Sequence, residues 1–483
     1  MTKWLTSMSP LARQSLAILG ASLGMTSSSQ VLSFTSIMLP QLKAIQDIDD
    51  EQASWIGSIN GISLLIGLLV TPSLMTTYGR KTVNMLRSII IAISWGAIFI
   101  TTEVYAILLV RFVQGFCLGI AAIIVPVLIG EYSSPKNRGA FLTTISVAIA
   151  LGVLSNHAIG TYFSWKIAGA FSCGTALFNI FIIILSPESP IYLASRGRYD
   201  KCREAFHWLR SSMEKDELEK MISKYMSEIQ NEVPRSLMMM MKNKTIAFCR
   251  MWKRKEFYKP LIIILHLHII NEWSPATIFD VYTPIIYHSL VGAEVNISLM
   301  MISTDILRAV SSICAVIFIR RFRRRPMLLT TISCNILSFL VMIVYSYVKT
   351  HKLLEHDHPL IGKILIHIHA FTFSVGNLTL PNIFEGEIFA YEYRGISNMI
   401  GQIFFGLNFF VSAKTALYMV SNMGFHGMMT VYMVMVLYGL VVTLFLLPET
   451  KDKTLQEIEE EFRGKTKRQD NPEVLNSLLL KVT

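Results

Sequence analysis

Charge is what this chain has least of. Of its 483 residues only 16% are charged, against 52% hydrophobic, and the mean hydropathy is +0.48. In water such a composition would leave large apolar patches exposed, so most of the surface is expected to face lipid. Cysteine is sparse too. Cys117, Cys173, Cys314 and Cys334 lie in apolar runs, and Cys202 and Cys249 in a charged central stretch. No pair shares an outer loop, so no disulfide framework is expected. Phosphate-cradling loops, nucleophile elbows and HExxH helices are missing, which argues against an enzyme and against an ATP-driven pump, with no cofactor. His266 and His268 are two apart and face different sides of a helix, and the other histidines are scattered, so no metal site is expected. The N-terminus lacks a cleavable small-residue site behind a short apolar core, and the first span is expected to act as an uncleaved signal.

What the chain does have is long apolar runs. A bilayer core takes about 20 apolar residues per helix. Twelve runs qualify: 16–39, 53–75, 82–101, 104–129, 140–163, 166–186, 259–289, 296–319, 326–348, 360–384, 395–418 and 425–447. They are long and do not alternate apolar with polar, so helices are expected and not barrel strands. An even number puts both termini on one side. Loops on that side carry Arg80 and Lys81, Lys136 and Arg138, and the arginines of 320–325, while the opposite loops hold little beyond Lys43, Lys166, Lys349 and Lys352. The positive-inside bias places the termini and the central segment in the cytoplasm of a multi-pass cell-membrane protein. The net charge of +11 is spread over these loops, so the expected partners are the bilayer and a small solute, not nucleic acid.

The chain is also duplicated. Gly130-Glu131…Arg138-Gly139 returns as Gly386-Glu387…Arg394-Gly395. A basic cluster precedes each (Gly79-Arg80-Lys81; Arg323-Arg324-Arg325), and a Pro-Glu-hydroxyl triplet follows each (Pro187-Glu188-Ser189; Pro448-Glu449-Thr450). Three landmarks recurring in the same order, roughly 250 residues apart, are an internal repeat, and duplicated membrane halves with matched charged loops are built as two-bundle transporters. The expected organisation is a terminus 1–15, a six-helix bundle 16–187, a linker 188–257, a second bundle 258–447 and a tail 448–483. In the linker, charge alternates with aromatics and Leu at helical spacing, which reads as short amphipathic helices on the membrane face. The run Met238–Met241 with Lys253-Arg254-Lys255 fits an interfacial helix next to anionic lipid, or alternatively a calmodulin-type target.

Taken in order, Gly79-Arg80-Lys81, Arg111-Phe112-Val113-Gln114-Gly115, Gly130-Glu131…Pro135…Arg138-Gly139, Pro187-Glu188-Ser189-Pro190, Gly386-Glu387-Ile388-Phe389…Arg394-Gly395 and Pro448-Glu449-Thr450-Lys451…Lys453-Thr454-Leu455 resemble the sugar porter branch of the major facilitator superfamily. The resemblance covers about residues 15–460. Ser54-Trp55-Ile56-Gly57, Gly160-Thr161-Tyr162 and Lys414-Thr415 are most similar to the insect facilitated trehalose transporter group. The resemblance implies an all-α fold of two pseudo-symmetric six-helix bundles with a midplane cavity. It also implies facilitative transport of a sugar, trehalose or a hexose, by alternating access. No acid lies in the first span, where proton-coupled sugar porters commonly carry one, so uniport is expected.

A carrier opens to one side at a time, so its ends need reversible contacts. Arg80, Glu131, Arg138, Arg324, Glu387 and Arg394 sit at inner helix ends and form the expected cytoplasmic gate through charge-assisted pairs; the bland alternative is a set of interfacial anchors. The family's acid ahead of each basic cluster is replaced by Thr76 and Arg320, which predicts a differently balanced latch. The ligand shell departs further. The family's seventh-helix Gln-Gln-x-Ser-Gly-x-Asn becomes Asn271-Glu272-Trp273-Ser274-Pro275-Ala276-Thr277, and the tenth-helix Gly-Pro-x-Pro-Trp becomes Leu378-Thr379-Leu380-Pro381-Asn382. Asn271, Glu272, Thr277 and Asn382, with Ser146 at the place of a frequent fifth-helix Gln, are the candidate substrate residues.

Glu272 near midplane points to a substrate cation or a proton, or else to a silent pair with Arg308. Asp305 and Arg308, three apart, can neutralise each other, and Asp280 is expected to be solvated near the outer end. Pro275 and Pro284 are expected to interrupt the seventh helix. Asn296-Ile297-Ser298 is a sequon beside an outer loop, with Asn296 as the glycosylation candidate. Two other functions stay open: a carrier of a different polar or cationic solute using Glu272, and a non-transporting sensor on the same fold.

Overall fold

The architecture is that of a computed structural model describing residues 8–463 except 135–136, 211–214, 231–250, 275, 293–294, 354–357, 390–392, 452 and 454. Lys136, Met238–Met241, Cys249, Pro275, His356 and the tail beyond 463 lie outside the described residues, as do the side chains of Thr277, Asn382 and Arg394.

Among the described residues every regular element is helical. The spans of the first half are α1 (Pro10–Lys43), α2 (Asp50–Tyr78), α3 (Arg80–Ile100), α4 (Val104–Tyr132), α5 (Thr144–Tyr162) and α6 (Trp165–Leu185). The second half has α7 (255–291), α8 (Ile297–Arg321), α9 (Arg324–Thr350), α10 (359–387), α11 (394–423) and α12 (425–446). Start signals are local. Ser9 caps α1 ahead of Pro10, and Asp49 caps α2 by accepting from the Gln52 amide at 2.6 Å, each satisfying an otherwise orphaned N–H.

Among the described residues, ten helices are long and apolar enough to cross a membrane. One of them continues from 394 to 446, which at about 1.5 Å per residue would far exceed a bilayer core of about 30 Å. It reverses at Gly424, whose φ of 70° suits a residue without a side chain. With that helix counted as two and the serine-rich α1 added, twelve spans result. The protein is an all-α, multi-pass membrane protein. Its outward faces carry Ile93, Ile100, Phe181, Leu337 and Phe445, all exposed, as lipid contact requires.

Two spans are not simple rods. α7 breaks between Trp273 and Ala276 and kinks again at Tyr282, two residues before Pro284, whose ring denies the helix a hydrogen bond. α10 consists of Pro359–Thr372, a π segment Phe373–Asn377 and Leu380–Glu387, so the expected single run 360–384 is interrupted. Within the first half, small residues bring α2 and α4 into backbone contact. A Cβ on Gly115 would lie 2.5 Å from the Asn60 carbonyl oxygen, and one on Gly119 would lie 2.2 Å from that of Leu64. Two such residues four apart are the usual device for close helix approach in lipid.

The halves meet through α2 with α11, α1 with α7, and α5 with α8. Ser54 Oγ donates to the Lys414 carbonyl at 2.8 Å, and the Lys414 ammonium lies 4.1 Å from the centre of the Trp55 ring. These contacts sit near the start of α2 and the end of α11, at the end remote from the basic loops. At the basic end, helices Tyr199–Leu209 and Lys215–Gln230 pack through Cys202, Phe206, Leu218 and Ile222. Arg210 ties them to the first half by donating to the Ser133 carbonyl at 2.8 Å and pairing with Glu217 at 2.7 Å.

Candidate functional site

The repeated landmarks of each half converge at the basic end. Arg80 grips Glu131 with a fork, Nε to both carboxylate oxygens at 3.2 and 3.1 Å and Nη2 to Oε1 at 3.1 Å. Glu188 Oε1 then accepts the backbone N–H groups of Arg80 at 3.0 Å, Lys81 at 2.9 Å and Ser189 at 2.8 Å. The second half repeats the arrangement. Arg324 pairs with Glu387, and Glu449 accepts from the amides of Arg324 at 3.1 Å, Arg325 at 3.2 Å, Thr450 at 3.1 Å and Lys451 at 2.9 Å. Each glutamate of the Pro-Glu triplet therefore seats its charge on a helix N-terminus, where orphan N–H groups and the helix dipole favour an anion. The cation beside it closes the neighbouring helix: Lys81 Nζ donates to Ser186 O at 2.6 Å, and Arg325 Nη2 to Leu444 O at 2.8 Å.

Both Arg–Glu pairs lie inside one half, so neither bridges the halves directly. Of the other candidates at this end, Arg138 is exposed and has no ion pair among the described residues. With the acids at 76 and 320 missing, Glu188 and Glu449 are the anions at the starts of α3 and α9. Both were visible in sequence as motif letters, but their partners are more than a hundred residues away.

A second polar site sits between the halves at the opposite end. A cavity of about 20 Å³ of free volume is lined by His157, Asp280, Tyr287, Asp305, Arg308 and His369, among others. That is room for about one water and far too little for a sugar ring. His157 Nδ1 lies 2.6 Å from Asp305 Oδ2, and its Nε2 lies 2.8 Å from Ser36 Oγ. Arg308 lies 3.8 Å from Asp305 and is bound to Asp280 by both amino groups, Nη2 to Oδ2 at 3.2 Å. Asp280, expected to be solvated, is only 8% exposed. Its cause is Arg308, which α8 brings against α7. Arg308 is thereby occupied by Asp280. His157 was missed entirely, since a lone histidine in an apolar run reads as core.

Of the candidate substrate residues, Asn271, Glu272 and Ser146 have described side chains. Asn271 and Ser146 are half-buried, and neither lines this cavity. Glu272 is 2% exposed and lies close enough to Tyr432 on α12 to interact with it. Next to it, Trp273 Nε1 donates to Asn408 Oδ1 at 2.9 Å, and Ser274 Oγ accepts from Asn377 at 2.9 Å. Glu385, also not singled out, is 5% exposed, with Gln402 Nε2 at 3.4 Å and His268 at 4.0 Å. Asn296 is exposed and caps α8 through Oδ1, accepting from Leu299 N at 3.0 Å.

The family model described as "Sugar (and other) transporter" matches residues 17–462. Among curated proteins, the chain is 26% identical to a facilitated trehalose transporter Tret1 of Culex quinquefasciatus, covering 95% of this chain and 88% of the relative. It is 28% identical to that of Anopheles gambiae over 94% of this chain and 56% of the relative. The chain thus spans nearly all of some relatives and about half of others. Among solved structures, the proton:xylose symporter XylE bound to 6-bromo-6-deoxy-D-glucose superposes with a TM-score of 0.73 at 16% identity, over 94% of this chain and 100% of that one. An inward-open form of XylE from E. coli gives 0.70 at 16% identity, over 94% and 100%. At that identity the likeness is one of fold.

Proposed function

The chain belongs to the sugar (and other) transporter family, and from that premise we propose that it carries a sugar across the cell membrane by facilitative alternating access. Trehalose or a hexose is the proposed solute. The observation that carries the reading is the twofold Arg–Glu–Glu constellation, Arg80–Glu131–Glu188 and Arg324–Glu387–Glu449. Each copy locks helix ends of its own half into one unit, as halves that rock against each other as rigid bodies require.

The bundles 16–187 and 258–447 move about the segment 188–257, with both termini and the tail 448–483 in the cytoplasm. On this reading the basic end is the cytoplasmic one, the closed end faces outward, and Arg80, Glu131, Arg138, Arg324, Glu387 and Arg394 form the inner gate region. Asn271, Thr277, Asn382 and Ser146 offer hydroxyls and amides to a sugar, with donor and acceptor on each amide, and Glu272 governs what charge the path tolerates. Glycosylation at Asn296 fits an outward position.

The test is uptake in cells expressing the chain, screened with labelled trehalose, glucose and several organic cations. Saturable sugar uptake above that of cells without the chain is the expected result. Saturable uptake of a cation and not of sugar would instead make this a carrier that uses Glu272. Ligand-induced thermal stabilisation without any flux would make it a sensor.

A further inference from the structure

The closed end of the molecule is held by a charge cluster whose hydrogen bonds can be counted. Ser36 Oγ lies 2.6 Å from the Ser33 carbonyl oxygen and 2.8 Å from His157 Nε2, so its hydroxyl donates to Nε2 of a neutral ring, or donates to the carbonyl and accepts from an imidazolium. On the other side, Nδ1 meets the Asp305 carboxylate at 2.6 Å, which as an anion is an acceptor only. With Nδ1 facing the carboxylate and Nε2 facing a hydroxyl that can donate or accept, the site accommodates both protonation states of the ring. Charge accounting favours the protonated one. Asp280, Asp305 and Arg308 sum to one negative charge, and these groups are 4–14% exposed. In a low-dielectric site an uncompensated charge is strongly disfavoured, and a proton on the His157–Asp305 pair makes the cluster neutral.

The location gives that proton a consequence. Ser36 and His157 belong to the first half (α1, α5), and Asp305 and Arg308 to the second (α8). The groups facing His157 from the packed elements are Asp305 and Arg308 on α8, Asp280 and Tyr287 on α7, and His369 on α10; α1 contributes Ser36 there. The neighbouring cavity has room for a water, and His369 Nε2, buried on its wall, has no partner among the described residues.

We propose that the His157–Asp305 pair is a proton-binding site bridging the two halves, and that its occupancy decides whether this end stays shut, which makes the facilitative cycle sensitive to pH. The last clause rests on the transport reading above; the site itself does not. Releasing the proton from His157 to water removes one of two donors and restores the buried negative charge, so this end opens.

The test places spin labels on genetically encoded non-natural residues at Thr102 and Leu353, exposed positions on opposite halves at the closed end, and leaves the native cysteines untouched. Distances are read from about pH 5 to about pH 9, bracketing the range in which imidazole ordinarily changes charge. The expected result is a short distance at low pH and a growing long-distance population at high pH, changing by about tenfold or more, as loss of a charge-assisted bond predicts. In His157→Gln the ratio should not depend on pH. A wild-type distribution that is constant across the range would overturn the proposal, as would a His157→Gln protein titrating like wild type. Should the variant not fold, the wild-type titration decides alone. A titrating end in a protein that moves no sugar keeps the site and removes the transport reading; sugar flux with a pH-independent end does the reverse.

Discussion

Glu188 and Glu449 do the same work in the two halves. Each collects backbone N–H groups at the start of α3 or α9, and each sits beside the arginine that grips Glu131 or Glu387. Replacing either carboxylate by an amide removes the charge and one acceptor oxygen. Glu188→Gln and Glu449→Gln should each destabilise the protein by about 1–3 kcal/mol, read as a lower unfolding temperature in detergent. If one variant unfolds earlier and the other is unchanged, the two copies are not equivalent. For the buried cluster, single and double changes should differ in size. Asp280→Asn leaves Arg308 with Asp305 alone, 3.8 Å away, and should cost about 1–3 kcal/mol, whereas Asp280→Asn with Arg308→Met should cost less than the single change. A double variant weaker than the single would show that Asp305 also depends on Arg308. At this scale the sequence was readable where residues repeat, as with Arg80, Glu131, Arg324 and Glu387. It was not readable where a partner comes from another helix. Arg308 was correctly placed three residues from Asp305, but its stronger partner, Asp280, lies across the α7–α8 interface, and nothing in local spacing announces that.

The apolar runs located the helices because burial in lipid demands about 20 residues at a stretch, and Pro275 and Pro284 correctly announced the broken seventh. The π segment of α10 had no such signal. It arises where Gly376 meets α9 so closely that a Cβ would fall 1.9 Å from Thr331 Oγ1, a tertiary contact. The reversal at Gly424 depends on one positive φ, so Gly424→Ala should cost about 1–2 kcal/mol and lower the yield of monodisperse protein. Normal yield and thermal stability would mean that the turn relaxes to another backbone. In the linker, Cys202 is fully buried on Tyr199–Leu209. Burial pushes its thiol up to about 11, with Arg203 pulling down and Glu219 pushing up by less. A group whose pKa is raised stays protonated below that value, so Cys202 should resist maleimide at neutral pH. Labelling of Cys202 as fast as a free thiol, in folded protein, would mean that this helix does not stay docked.

At the scale of the molecule, duplication was the strongest sequence signal, and it organises the structure: two six-helix halves, each stitched at its basic end, meeting at the other. The proposed substrate residues were the least legible part, because their roles were argued from departures at single positions, and among the described ones neither Asn271 nor Ser146 lines the cavity between the halves. Orientation is checked by protease. Residues 188–257 should be cut only in permeabilised cells, and cleavage in intact cells would reverse the sidedness. The central claim is that this chain exposes one sugar site alternately to each side, and counterflow tests it most directly. Purified protein in liposomes loaded with unlabelled trehalose or glucose is diluted into a trace of the labelled sugar. A carrier predicts transient accumulation of label above equilibrium, lost in protein-free liposomes. Label that only equilibrates, or does not enter at all while the protein remains folded, would contradict the account.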